Sequence, residues 1–416
     1  MSLIKRGLKN SSYLLVGRII LVFLGLTSSV ILTRNLSLSE YGSLAIIFNY
    51  VTIFTYLSFN GISSYTMREG ARKIDEFPNM IDKTSGIKFL FAIIAQIICI
   101  LVIPLTPYSQ TVKLFILIYS FYIPFNSFLN HWITVFSVHE KFIYRALINI
   151  IPSVFYVTSI IIIIFFVQHN QIPLLVIANL GSFLLGLLFC YILSQKVMRF
   201  KSSIFTILFD KKIIIGGTYF FIITLAGLLF AKIDVFMVSL LGTEEQVGIY
   251  NITNRFARMG TEFRTFLFAG FFPVMIKEVN AGKILRHEVF KYTIIIFFIT
   301  CIAALIGYYF SQDLFTFIYG NNYALSGALF GLLCFFLAID FSIQPYIMLF
   351  LSSGHEKLVA IIFTLLALSN IVLNIVLFDL FELWGIVYST LITYSLFFVI
   401  IITVGIKKLI KHKILL

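Results

Sequence analysis

Long apolar runs alternate with short polar breaks along the whole chain. Apolar stretches fall at 13–33, 43–62, 87–105, 114–136, 146–167, 172–194, 213–240, 247–275, 292–310, 323–351, 358–378 and 385–405. Most reach the ~20 residues with which a helix crosses a hydrocarbon core of ~30 Å. Barrel strands are shorter and alternate in polarity, whereas these runs are continuous. The pattern predicts an all-α polytopic membrane protein with about twelve transmembrane helices. Composition agrees: 60% of the 416 residues are hydrophobic and 12% charged, against about 25% charged in soluble chains.

The net charge of +13 from 31 basic and 18 acidic residues raises nucleic acid as a partner, so its distribution decides. With the N-terminus inside, 24 Lys and Arg fall in the two tails and the loops after even-numbered spans, 2 fall outside (Arg34, Lys113), and 5 lie within spans. Lys88, Lys141 and Arg145 are counted with the inner loops, and so are the runs near 196–212 and 277–291. This asymmetry is the positive-inside signal. It predicts cytoplasmic N- and C-termini and an even helix count, and it makes the basic excess topogenic, with membrane lipids rather than nucleic acid as the partner.

The longest polar loops (about 66–86, 195–212 and 276–291) all fall on the inner side, and none exceeds roughly twenty residues, so no soluble catalytic domain is expected. The basic start MSLIKRGLKN runs into a full-length span without an A-x-A-like site, so no cleavable signal peptide is expected. Cys99, Cys190, Cys301 and Cys334 sit in apolar stretches and imply no disulfide framework. The six histidines are scattered, mostly near membrane surfaces, and there is no HExxH, CxxC or Walker-type motif. No cofactor or metal is therefore expected, and if the chain moves a solute, an H+ or Na+ gradient, the membrane potential or the solute's own gradient has to drive it.

An internal repeat organises the chain. The turn Arg34-Asn35-Leu36-Ser37-Leu38-Ser39-Glu40-Tyr41-Gly42 joins spans 1 and 2, and Leu240-Leu241-Gly242-Thr243-Glu244-Glu245-Gln246-Val247-Gly248 joins spans 7 and 8. Six spans per half predict a parallel repeat, with an N-lobe at 1–205 and a C-lobe at 206–416.

The candidate chemistry lies in span 8. Arg255, Arg258 and Glu262 fall on one face at 100° per residue, while Arg264 points away. A charge at mid-membrane costs roughly 3 kcal/mol and is tolerated facing protein or water. Arg255 and Arg258 present planar forks suited to bidentate contact with an anionic group; the bland alternative is neutralisation of Arg258 by Glu262. Arg264 is expected to pair between helices. Arg18 joins the candidates, with snorkelling to headgroups as its alternative. Lys232 also joins them; it lies two residues from Asp234 and so on another face. Asp234 and Asp340 read either as ion-coupling or as structural carboxylates. The pairs Asn126/Asn130 and Asn370/Asn374 read more readily as interhelical hydrogen bonding than as contacts to a hydroxylated ligand.

The turn RNLSLSEYG, the run from Ile233 to Tyr250 (IDVFMVSLLGTEEQVGIY) and the segment Leu314–Tyr323 (LFTFIYGNNY) resemble the polysaccharide-transporter branch of the MOP exporter superfamily, the Wzx-type flippases. The resemblance implies a MATE-like pair of six-helix bundles around a cationic cavity with alternating access. It implies a cargo of oligosaccharide on undecaprenyl pyrophosphate, as in O-antigen and lipopolysaccharide assembly, moved across a bacterial cytoplasmic (inner) membrane. Other polysaccharide-assembly proteins are then expected partners. Arg18, Arg255 and Arg258 match the family's cavity cations and Asp234 its acidic position; span 2 carries Asn49 and Asn60 but no arginine. The alternatives are an ion-coupled small-molecule antiporter of the same superfamily and a membrane polymerase or ligase. The short outer loops weigh against the enzyme, and the cationic stripe against a cationic drug.

Overall fold

The computed structural model describes residues 3–199, 211–269 and 286–411, with 271, 275, 278 and 279 between the last two blocks. Every regular element among them is helical: α1 Leu3–Asn35, α2 Leu38–Leu57, α3 Gly61–Arg72, α4 Phe77–Val102, α5 Gln110–Tyr119, α6 Tyr122–Val138, α7 Phe142–Phe166, α8 Gln171–Val197, α9 Lys211–Leu241, α10 Glu244–Ala269, α11 Arg286–Tyr319, α12 Ala324–Ser352, α13 Glu356–Phe381 and α14 Leu383–Lys411. Among the described residues, nine helical segments are long and apolar enough to cross a membrane, and the bent pair α2 and α3 makes a tenth. The sequence reading of twelve also counted α9, whose side chains over 222–231 lie outside the described residues, and α10, which carries Arg255, Arg258, Glu262 and Arg264 within ten positions.

Two spans differ from the sequence reading. The stretch 43–62 is broken: α2 stops at Leu57 and α3 restarts at Gly61, bent by 51°. The polar segment 66–86 is thus mostly helix, in α3 and the first turns of α4, rather than a loop. The stretch 114–136 is likewise α5 and α6, joined at Ser120, where the buried Ser120 hydroxyl accepts from Gln96 Nε2 at 3.2 Å. Gly61 is required at the first break, since a β-carbon there would run into the Gly217 carbonyl oxygen.

By contacts the chain divides into two compact units, Met1–Lys232 and Ile233–Leu416. That division falls within α9; the boundary read from the sequence at 205/206 lies outside the described residues, as do Lys201, Lys277, Lys283 and Lys413. In the first unit α1 packs on α7, α7 and α6 on α8, and α4 on α6. In the second, α12 is central and touches α10, α11 and α14. Half of the apolar window of the α12 segment is buried against 17% for α11. The outer face of α11, with Phe298, Ile302, Leu305, Tyr309 and Phe317 exposed, is what a lipid-facing helix presents.

The repeat has a structural counterpart in the turns. Ser37 Oγ accepts from Glu40 N, and Glu40 Oε2 from Ser37 N, a capping box opening α2. Thr243 Oγ1 accepts from Gln246 N at 3.3 Å and Gln246 Oε1 from Thr243 N at 3.0 Å, the same reciprocal cap opening α10. The S-x-x-E and T-x-x-Q patterns are what the geometry demands, because each satisfies two backbone donors that a helix start would otherwise orphan.

Candidate functional site

The face that α10 packs on α12 is set by small and aromatic residues. Thr253 Oγ1 donates to the Ser326 carbonyl at 3.1 Å and Ser326 Oγ to that of Ile249 at 2.9 Å. Phe256 packs on Phe330 of α12 and on Phe315 and Tyr319 of α11. Gly260 lies against Leu337. At 100° per residue these positions share one side of α10, and Arg255, Arg258 and Glu262 fall on the opposite side. All three are half-buried.

Ion pairs among the described residues include Arg68–Glu69, Arg72–Glu69, Lys73–Glu76 and Arg264–Asp340. No ion pair or hydrogen bond joins Arg258 to Glu262 among the described residues, against the expectation that the acid neutralises this arginine. The order explains it, since a cation four residues before an acid is the weaker arrangement on a helix. Arg264, by contrast, lies toward the packed side, and its Nη1 sits 2.6 Å from Asp340 Oδ1, with the two side chains 19% and 6% exposed. Asp340 is thus the partner of an α10 cation.

Asp234 is a packing hub. Its carboxylate accepts from Asn374 Nδ2 (2.9 Å, α13), Thr390 Oγ1 (3.0 Å, α14) and Tyr250 OH (3.5 Å, α10). Asn374 also donates to Asn370 Oδ1 at 3.2 Å and accepts from Ser389 Oγ, so this asparagine pair is interhelical glue. Replacing Asp234 with alanine strands the Asn374 N–H and the Tyr250 hydroxyl, while Thr390 Oγ1 keeps the Ile386 carbonyl at 3.0 Å, and about 1–3 kcal/mol per stranded buried group is lost. A lowered unfolding midpoint in detergent checks it.

In the first unit Lys232 Nζ donates to Asn49 Oδ1 at 2.7 Å, so the lysine and Asp234 have different partners. Arg18 is exposed on α1 and lines a cavity of about 340 Å³ with Ser28, Asn149, Ser153, Asn179 and Ser182 of α1, α7 and α8.

Two buried groups escaped the sequence reading. Lys88, counted there as an inner-loop cation, is fully buried on α4, and its Nζ donates to the Ser58 carbonyl at 2.9 Å and to Asn60 Oδ1 at 2.6 Å. It holds the broken backbone between α2 and α3, where Phe59 has φ +55°. His131, one of the six histidines given no individual role, is fully buried on α6, with Nδ1 3.3 Å from Ser63 Oγ and Nε2 3.0 Å from Thr84 Oγ1. The adjacent Asn60-Gly61 was the available signal for a break. Lys88→Met strands both acceptors and is expected to lower stability by about 2 kcal/mol or more, read as a lower unfolding midpoint.

The fold is that of a polytopic helical membrane protein of MATE-like architecture. An inward-facing multidrug resistance MATE family transporter of the MOP superfamily aligns with a TM-score of 0.75, 13% identity and coverage of 94% of this chain and 95% of that one. The lipid II flippase MurJ, in an inward closed conformation, aligns with a TM-score of 0.73, 16% identity and coverage of 96% and 87%. A MOP superfamily transporter from Pyrococcus furiosus, described as having a binding pocket of reverse polarity, aligns at 0.62 with 14% identity, covering 97% and 95%. No curated protein matches in sequence. The family described as "Polysaccharide biosynthesis protein" matches residues 7–279, well over half of the chain, and the chain belongs to that family.

Proposed function

We propose that the protein is a flippase that moves undecaprenyl-pyrophosphate-linked oligosaccharide repeat units from the cytoplasmic to the periplasmic leaflet by alternating access. The observation that carries this reading is the pair Arg255 and Arg258 on the side of α10 opposite its packing on α12, half-buried and without an ion pair among the described residues. Two guanidinium forks one turn apart suit an anionic, multidentate group such as a pyrophosphate. Family membership supports a polysaccharide precursor as cargo, and the likeness of the fold to the lipid II flippase supports a lipid-linked one.

The antiporter reading draws less support. Its two coupling carboxylates are each engaged inside the second unit, Asp340 by Arg264 and Asp234 by three donors. In this reading no bond is made or broken, and the host membrane is the bacterial inner membrane with both termini cytoplasmic. A periplasmic reporter fused after Leu416 is expected to be inactive; activity would overturn the orientation. Deleting the gene is expected to leave the lipid-linked intermediate on the cytoplasmic leaflet, shielded from periplasmic reagents. An intermediate equally accessible with and without the protein would contradict the assignment.

A further inference from the structure

The first unit contains a pocket of about 430 Å³ between α2, α3, α6 and the start of α7, within the size range of sites that hold a drug-sized ligand. Most of its lining residues carry a hydroxyl or an amide, with Met67 and Ile133 the aliphatic members, and the carbon surfaces of these side chains lie between the polar groups.

The hydrogen bonds already made show what remains for a ligand. Thr52 and Thr134 donate their hydroxyl protons to backbone carbonyls, Phe48 O at 2.6 Å and His131 O at 2.6 Å, and so keep lone pairs. Asn130 Nδ2 donates to Asn126 Oδ1 at 2.8 Å, and Asn126 Nδ2 donates to Tyr122 OH at 3.0 Å. This relay leaves the Asn130 carbonyl oxygen, one Asn126 N–H and the Tyr122 hydroxyl proton unused among the described residues. Tyr122 is fixed by stacking on Tyr119 at 5.1 Å and by an edge contact with Phe183 at 4.5 Å. The pocket therefore offers acceptors and donors interleaved over a short distance.

That inventory selects a ligand class. No carboxylate lines the pocket, which removes a partner for a cationic drug. Its one cation, Arg145, donates through Nη1 to Ser137 Oγ at 3.1 Å and keeps further N–H donors, which suit the acceptor oxygens of a hydroxylated ligand, while no second guanidinium stands beside it to make a multidentate anion site. An apolar guest would leave buried polar groups unpaired at about 1–3 kcal/mol each. A ligand whose groups each donate and accept fits all of them.

The backbone gives a second, independent indication. Non-helical backbone at membrane depth persists only where protein buries it or where it lines an aqueous cavity, and interrupted helices mark binding sites in transporters. The break between α2 and α3 stands at the edge of this pocket. Asn60, from the break itself, lines it, and Lys88 grips Asn60 Oδ1 and the Ser58 carbonyl from the buried side. Ser63 at the start of α3 lines it too and is held by His131. The broken span is thus fastened from behind while its polar atoms face the pocket.

We infer that this pocket is a saccharide site, in which Asn126, Asn130, Ser64 and Thr134 meet the hydroxyls of a neutral sugar. The inference deepens the flippase reading and rests on it for the identity of the sugar as the head group of the cargo. The corresponding test titrates the full-length protein in nanodiscs with a panel of fluorescently tagged neutral bacterial repeat-unit saccharides, free of lipid and phosphate. The wild type is expected to bind at least one member, and Asn126→Leu combined with Asn130→Leu to weaken that binding at least tenfold. Asn126→Ser and Ser64→Ala, with unfolding midpoints recorded, cover the case in which the leucine variant does not fold. Failure of the wild type to bind any panel member, or unchanged binding in folded variants, would overturn the inference. The two readings fail separately: saccharide binding that depends on Asn126 and Asn130 without movement of the lipid-linked form by the wild type sinks translocation alone, and the reverse sinks the pocket alone.

Discussion

Cells in which Arg255 or Arg258 is replaced by alanine are expected to lose surface polysaccharide while the protein stays in the membrane at its normal level. The argument starts from the helix. Both arginines lie on the side of α10 opposite the Thr253, Phe256 and Gly260 face that packs on α12, so neither substitution removes a packing contact in that interface. Neither side chain has an ion pair among the described residues to be broken. What is removed is a charge-assisted donor, worth about 1.5–3 kcal/mol to an anionic ligand. That corresponds to roughly a 10- to 150-fold loss of affinity for one arginine. Lysine restores charge without the fork and is expected to recover only part of the function. Surface polysaccharide by gel and protein by immunoblot read the two quantities; wild-type polysaccharide in both alanine variants would remove the stripe from the mechanism.

The second large effect belongs to Arg264 and Asp340, and it is one of stability. Their 2.6 Å pair is largely withdrawn from solvent, Asp340 buried and Arg264 half-buried. Removing one partner leaves an uncompensated charge, and either Arg264→Ala or Asp340→Ala is expected to cost about 3–5 kcal/mol. Replacing both with apolar residues of similar volume, Arg264→Met with Asp340→Leu, removes the stranded charge and is expected to recover most of the loss. Unfolding in detergent of the two single variants and the double variant closes the cycle. Simple additivity of the two losses would show that the pair is not coupled.

Much of this was written in the order of residues. Apolar runs placed the helices, and the two turns related by the repeat announced themselves as S-x-x-E and T-x-x-Q, since a cap is a local device whose donor and acceptor lie three residues apart. The face angles of Arg255, Arg258 and Arg264 followed from period alone, and the structure keeps Arg264 apart from the other two. Partners were less legible. Asp340 lies 76 residues from Arg264 and Lys88 lies 30 from Ser58, and nothing in either neighbourhood specifies the pairing. Lys88 was misplaced for a physical reason: a lysine at the start of an apolar run reads as snorkelling to the surface, and only the broken backbone of α2 and α3 supplies the buried acceptors that hold it inward. Asn126 and Asn130 bond within α6 and line the pocket beside that break, whereas Asn370 and Asn374 are glue around Asp234.

The most direct test of the account is translocation by the purified protein. Proteoliposomes carrying undecaprenyl-pyrophosphate-linked oligosaccharide are probed with an external enzyme that acts on the sugar only in the outer leaflet. The accessible fraction is expected to rise from about half toward completion with the wild-type protein and to stay near half with Arg255→Ala combined with Arg258→Ala. An accessible fraction that stays at the protein-free value with the folded wild type would contradict the assignment.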